Sequence, residues 1–344
     1  MFRRSSSSSS SSSEDEYVVY RRRKVYRERK DYLTSYDEKE FFDRFRLTKN
    51  TVQVLLVEIE PLIKLNTNRG GCIQPLQQLL LTLRYYASGN MQIAVADFMG
   101  VSKASACRII RRVSTAIASL SPRYISMYDN NIDMERAAEK FYGIARFPRV
   151  IGAIDCTLIK IDSPGGEDAE IFRSRKGFFA LNVQTVSDAK LRGATHDQTI
   201  FNNSNLKRKF EAGNFGKYIL VGDSGYSLQT YLMTKLQEAR TPAENLFNES
   251  IIRTRNVVER QYGVWKRRFQ ILRVGMHQNV ERVMEIIIAT AVLHNIAIDM
   301  NDLYPEEDLE NVEDHQEEGG NEENVINNAR QYRQLLINEH FARL

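Results

Sequence analysis

Two hydrophobic periods divide the chain. From Asp37 to Leu120 the apolar residues recur at helical spacing: Phe41, Phe42 and Phe45, then Val54 to Ile63, then Leu76 to Ala87, punctuated by Pro61 and the Gly70-Gly71 pair. The next stretch, MQIAVADFMGVSKASACRIIRRVSTAIASL, predicts a helix, a tight turn at Gly100-Val101 and a second helix capped by Ser102, which is the pattern of a helix-turn-helix. A connector follows between Pro122 and Pro148, with a helix expected over Met134 to Tyr142. Beyond it the period changes. Val150 to Ile161, VIGAIDCTLIKI, is a short and nearly continuous apolar run between Pro148 and Pro164, as in a central strand covered on both faces. A loop through Pro164-Gly165-Gly166 leads to a helical turn near Ala169 to Phe172. Then come a strand over Ala180 to Ser187, a helix over Asp197 to Phe210, a strand over Tyr218 to Gly222, and further helices. This order predicts an α/β fold, a mixed sheet flanked by helices and preceded by an all-helical region.

Composition adds boundaries and a choice of partner. Of the 344 residues, 1–36 form a tail with a serine run, Ser5 to Ser13, and basic clusters at Arg21 to Lys24 and Arg27 to Lys30, for which no fold is expected. The helical region takes 37–140 and the sheet region 141–298. Residues 299–324 hold twelve acids and no lysine or arginine, an expected solvated spacer, and 325–344 return to helical spacing. The net charge of +4 hides this asymmetry: outside the spacer, 48 basic residues face 32 acidic ones, a footprint suited to a polyanion such as DNA. In the second helix of the helix-turn-helix, Ala106, Ile109, Ile110 and Val113 are expected inward, with Lys103, Ser105, Arg108 and Arg112 outward toward a groove or phosphates. An ordinary helical pair with a basic face is the plainer reading. Cys72, Cys107 and Cys156 lack ligand spacing, so reduced thiols, no structural zinc and an intracellular protein are expected. No apolar run has the roughly 20 residues of a membrane span.

Candidate chemistry lies in three acids. Asp155 is set into the central apolar run, where an unpaired carboxylate costs several kcal/mol, so something cationic must meet it. Asp223 closes the run YILVGDSGY, although Gly-Asp-Ser-Gly is also a good turn. Glu259 lies in NVVERQYGVWKRRF beside the stripe Val258, Tyr262, Trp265, Phe269, the buried face of a helix, with Lys266, Arg267 and Arg268 near enough in sequence to hold a phosphate. Brought together, three carboxylates repel unless they hold divalent cations.

The segments FYGIARFPRVIGAIDCTLIKI, FRSRKGFFALNVQTVSDA, GATHDQTIFNNS, YILVGDSGY, NVVERQYGVWKRRF and AVLHNIAI, in this order, resemble the DDE-type transposases of the PIF/Harbinger superfamily and their domesticated HARBI1-type nucleases. The resemblance implies an RNase H-like fold and a metal-dependent nuclease in which Asp155, Asp223 and Glu259 are catalytic and hold Mg²⁺ or Mn²⁺. It adds Asp197 as a further metal ligand, whose plainer reading is a helix N-cap. It also implies DNA as substrate and a MYB/SANT-like DNA-binding protein as partner; the basic tail would suit a nuclear location, and the lack of a long apolar run predicts no membrane association. Self-association is left open. Relatives carry a full third strand after Ser187-Asp188-Ala189, where this chain has only Lys190-Leu191-Arg192 before Gly193. The alternative function is therefore a domesticated, catalytically impaired DNA-binding or scaffold protein.

Overall fold

The computed structural model describes residues 30–65, 72–195, 205–302 and 326–344. Its helical part runs through α1 (Tyr32–Ser35), α2 (Glu38–Phe45), α3 (Lys49–Ile63), α4 (Pro75–Ser88), α5 (Gln92–Phe98), α6 (Lys103–Ala118), α7 (Ser121–Tyr124) and α8 (Asn131–Ala145). The starts follow from side chains that accept the first free backbone N–H groups: Asp37 with a reciprocal Glu40 for α2, Thr48 for α3 and Ser102 for α6. The boundary expected between Lys140 and Phe141 falls inside α8, which runs on to within a few residues of the sheet.

The sheet has the order β3-β2-β1-β4-β5. Its strands are β1 (Val150–Lys160), β2 (Ala180–Ser187), β3 (Gly193–Thr195), β4 (Ile219–Gly222) and β5 (Leu232–Met233). β1 is central, antiparallel to β2 and parallel to β4. A 3-10 turn, Glu167–Phe172, lies between β1 and β2, and α9 (Asn205–Glu211) precedes β4. After β5 come α10 (Pro242–Arg268), α11 (Ile271–Val274), α12 (Val280–Asp299) and α13 (Ile326–Glu339). The expected start of a helix at Asp197 lies outside the described residues.

Strand alternation sends side chains to two cores. Ile151, Ile154, Val186 and Leu220 pack with Met134, Ala137, Leu206 and Phe210 from α8 and α9. Ala153, Val183, Ile219 and Val221 join a second set that runs through α10 and α12 into the N-terminal helices, from Trp265 and Phe269 to Tyr86 and Phe41 without a break. A buried polar lock ties the same parts together. Arg268, 1% exposed, donates to the carbonyls of Arg46 (2.8 Å) and Asp302 (2.5 Å) and ion-pairs with the Asp302 carboxylate at 3.6 Å. That carboxylate also accepts from the Thr48 N–H at 2.7 Å. Asp302, expected in a solvated spacer, is thus buried, and Arg268, expected to hold a phosphate, cannot reach one.

The short link after β2 turns back at once. The Asp188 carboxylate accepts from the N–H groups of Lys190 and Arg192 at 2.8 and 2.9 Å, and Ser187 pairs with Gly193. α12 clamps this turn: the His294 ring meets the Leu191 carbonyl at 2.8 Å, and Asn295 both accepts from the Gly193 N–H and donates to its carbonyl. Gly193 lets the Gln261 side chain close in, since a Cβ here would stand 2.5 Å from Gln261 Nε2 and push that amide aside. The third strand therefore exists, but it covers only Thr185 to Ser187 of β2.

Candidate active site

Parallel pairing of Ile154 with Gly222 sets Asp155 on β1 beside Asp223, the residue after the end of β4. Loops at the carboxyl ends of parallel strands are where such sheets place their sites. The third acid comes from α10, which crosses β1 on a stripe of Arg255, Glu259, Tyr262 and Lys266, spaced i, i+4, i+7 and i+11 and so on one face. Tyr262 fixes this crossing. Its hydroxyl donates to the Asp155 carbonyl at 2.6 Å and lies 2.9 Å from the Thr185 hydroxyl, which in turn meets Gln261 at 3.0 Å. Burial pushes the Tyr262 phenol well up, so it keeps the proton it donates.

The three carboxylates converge on one guanidinium. Arg255 Nη2 is 3.5 Å from Asp155 Oδ2 and 3.3 Å from Glu259 Oε1, and Nη1 is 3.4 Å from Asp223 Oδ1. The Asp155 side chain is 23% exposed and that of Arg255 13%. Burial raises the Asp155 carboxyl to about 6, against the lowering effects of the Cys156 N–H at 2.7 Å and of Arg255, while the charges of Asp223 and Glu259 push it further up. The expected cation is therefore present as a side chain. Its presence bears on metal binding: as placed, no three His, Cys, Asp or Glu side chains among the described residues stand close enough to share one ion. The donor chemistry nonetheless fits Mg²⁺ or Mn²⁺, because hard carboxylate oxygens from three elements point at one small volume already suited to positive charge.

Residues 154–295 match the family described as DDE superfamily endonuclease. Over 245 residues the chain is 32% identical to the Homo sapiens protein named "Putative nuclease HARBI1", covering 68% of this chain and 70% of that one. The chain belongs to the HARBI1-like DDE superfamily endonucleases. The Xenopus laevis member is 29% identical over 289 residues, covering 80% of this chain and 83% of its own. "Protein ALP1-like" of Arabidopsis thaliana is 24% identical over 305 residues, 80% and 74% of the two chains. No solved structure matches.

For this HARBI1-like chain the other expected site residues divide. Asp197 lies outside the described residues. Lys103 and Arg108 are exposed on α6, whereas Ser105 is half-buried, its hydroxyl 2.9 Å from that of the capping Ser102. Arg112 departs from the outward set: it is half-buried and donates to Gln78 of α4 at 2.9 Å, because four helices pack around α6 and leave a narrow open strip. Arg111 faces out instead. Lys266 also turns inward, donating to the Thr157 hydroxyl at 2.5 Å and the Leu158 carbonyl at 3.1 Å, and burial lowers its ammonium to about 8. Arg255 stands among the three acids without a motif of its own to mark it. Its signal was the spacing to Glu259, one helical turn, at which side chains meet.

Proposed function

We propose that this chain is a divalent-metal-dependent nuclease that hydrolyses DNA phosphodiester bonds on an RNase H-like sheet, with Asp155, Asp223 and Glu259 as catalytic residues. The observation that carries the reading is the convergence of these three carboxylates, from β1, the residue after β4 and a crossing helix, on one guanidinium. When bound, Mg²⁺ or Mn²⁺ supplies Lewis acidity for the attacking water and the leaving oxygen. Asp155 would hold the cation through its ionised carboxylate, the form that burial disfavours in the metal-free protein. Tyr262 keeps its backbone seated, and Asp223 and Glu259 complete the oxygen set. Asp197 is proposed to join them.

DNA contact is assigned to the exposed basic strip of α6, Lys103, Arg108 and Arg111, in a helix-turn-helix with α5. A MYB/SANT-like partner and a nuclear location rest on the resemblance and on the basic tail. The test is nicking of supercoiled plasmid by the purified chain with Mg²⁺ or Mn²⁺, beside a chelator control and Asp155→Asn. The reading requires metal-dependent nicking that the variant loses. A second reading, an impaired DNA-binding scaffold, is favoured by the guanidinium among the carboxylates and by the three-residue β3. It requires DNA binding with no nicking under any of these conditions.

A further inference from the structure

Arg255 makes poor bonds for a side chain meant to stay where it is. It stands 3.3 to 3.5 Å from three carboxylates, yet only the 3.3 Å contact to Glu259 has the geometry of a hydrogen bond. A guanidinium fixed by a carboxylate makes charge-assisted bonds of about 2.7–2.9 Å, commonly two in parallel. This chain contains one of that kind: Arg173 grips Glu170 through Nε and Nη2 at 2.6 and 2.9 Å. The Nε of Arg255 is buried and has no hydrogen-bond partner among the described residues.

The position allows exchange. Arg255 lies one turn before Glu259 on α10, so its long side chain can withdraw by rotamer change while Tyr262 and Lys266 keep the helix bolted to β1. We propose that Arg255 is a built-in counter-ion that gathers Asp155, Asp223 and Glu259 in the metal-free protein and yields its place to divalent cations, so that metal uptake is a cation exchange. This rests on the metal-nuclease reading above. It follows that apparent metal affinity is weakened by the cost of expelling the guanidinium, and that removing the guanidinium strengthens it.

The experiment is a Mn²⁺ titration of the full chain, with free Mn²⁺ read by its paramagnetic resonance signal. Arg255→Gln is compared with wild type and with Arg273→Gln, an equal charge change on an exposed residue outside the cluster. The expected result is at least tenfold tighter binding for Arg255→Gln, less than threefold change for Arg273→Gln, and loss of the gain when Asp155→Asn is added. A lower melting temperature for metal-free Arg255→Gln, restored by Mn²⁺, belongs to the same expectation. Equal or weaker binding by a folded Arg255→Gln overturns the exchange and leaves the metal site standing, whereas no Mn²⁺ binding by either protein sinks the metal-nuclease reading as well. If the variant does not fold, wild type decides. Phenylglyoxal modification of Arg255, followed by peptide mass, must speed up on adding Mn²⁺, and an unchanged or slower rate contradicts the proposal.

Discussion

Replacing Tyr262 by Phe isolates the bolt between helix α10 and the strand that carries Asp155. The ring is buried and stays in place, so packing is preserved and only a hydroxyl is lost. That hydroxyl makes two contacts, to the Asp155 carbonyl at 2.6 Å and to the Thr185 hydroxyl at 2.9 Å. At about 0.5–1.5 kcal/mol net for each hydrogen bond, their loss costs about 1–3 kcal/mol. The Thr185 hydroxyl retains Gln261 at 3.0 Å, which places the expected cost toward the lower half of that range. Urea unfolding measures it: the midpoint should fall with the slope unchanged, the sign of lost stability without a change in exposed area. The same variant should nick plasmid more slowly at saturating DNA with little change in the DNA concentration needed, because it loosens the backbone of the proposed catalytic Asp155 and leaves the basic strip untouched. A midpoint within error of wild type, together with full cleavage, would show that Tyr262 does not seat Asp155.

Further outcomes follow from other parts of the molecule. Asp302→Asn removes a carboxylate that pairs with the buried Arg268 guanidinium, and unfolding experiments should show a loss of about 1–3 kcal/mol; no measurable loss would mean that the helical region and the sheet do not depend on this lock. The Asp155 carboxyl, raised to about 6 in the fold, binds its proton more tightly than in the unfolded chain, so without metal it lowers stability as pH rises from about 4 through 6. Metal must displace that proton: Mn²⁺ affinity should fall about tenfold per unit below pH 6 and level off above it, and a flat profile from pH 5 to 8 would contradict the placement. Alanine at Lys103, Arg108 and Arg111 together should weaken DNA binding and reduce the slope of log affinity against log salt by about 2–3, as fluorescence anisotropy can measure. Arg112→Ala alone should cost stability through Gln78 while leaving that slope nearly intact.

Much of this was legible in the sequence because the strands are short apolar runs bounded by proline and glycine. β2 spans Ala180–Ser187 as its pattern predicts, and β1 ends one residue short of the expected Ile161. The stripe Val258, Tyr262, Trp265, Phe269 is buried as its spacing requires, and the acid one stripe round, Glu259, does reach Asp155 and Asp223 through Arg255. Periodicity says which face of a helix is apolar, but not what packs over its polar edges. Lys266 and Arg268 read as a basic end of α10, yet β1 covers one, and the other meets Arg46 and Asp302, distant in sequence. Arg112 turns inward for the same reason, since Gln78 lies on a helix whose approach no local pattern reveals. β5, two residues long, carries too little pattern to stand out from its loop. Three acids in need of a cation can be read from the sequence, but not that Arg255, one turn before Glu259, stands 3.3 to 3.5 Å from all three.

Glu259 shares the Arg255 guanidinium with Asp155 and Asp223, which sets it apart from a solvated helix residue. The initial rate of Mn²⁺-dependent plasmid nicking by Glu259→Gln tests it most directly, beside Glu249→Gln, a surface acid on the same helix that pairs with Arg253. Glu259→Gln, folded as wild type by circular dichroism, should lose at least about 100-fold in rate, as loss of a group that stabilises developing charge does. Glu249→Gln should cleave like wild type. Comparable rates for both variants and wild type would contradict it.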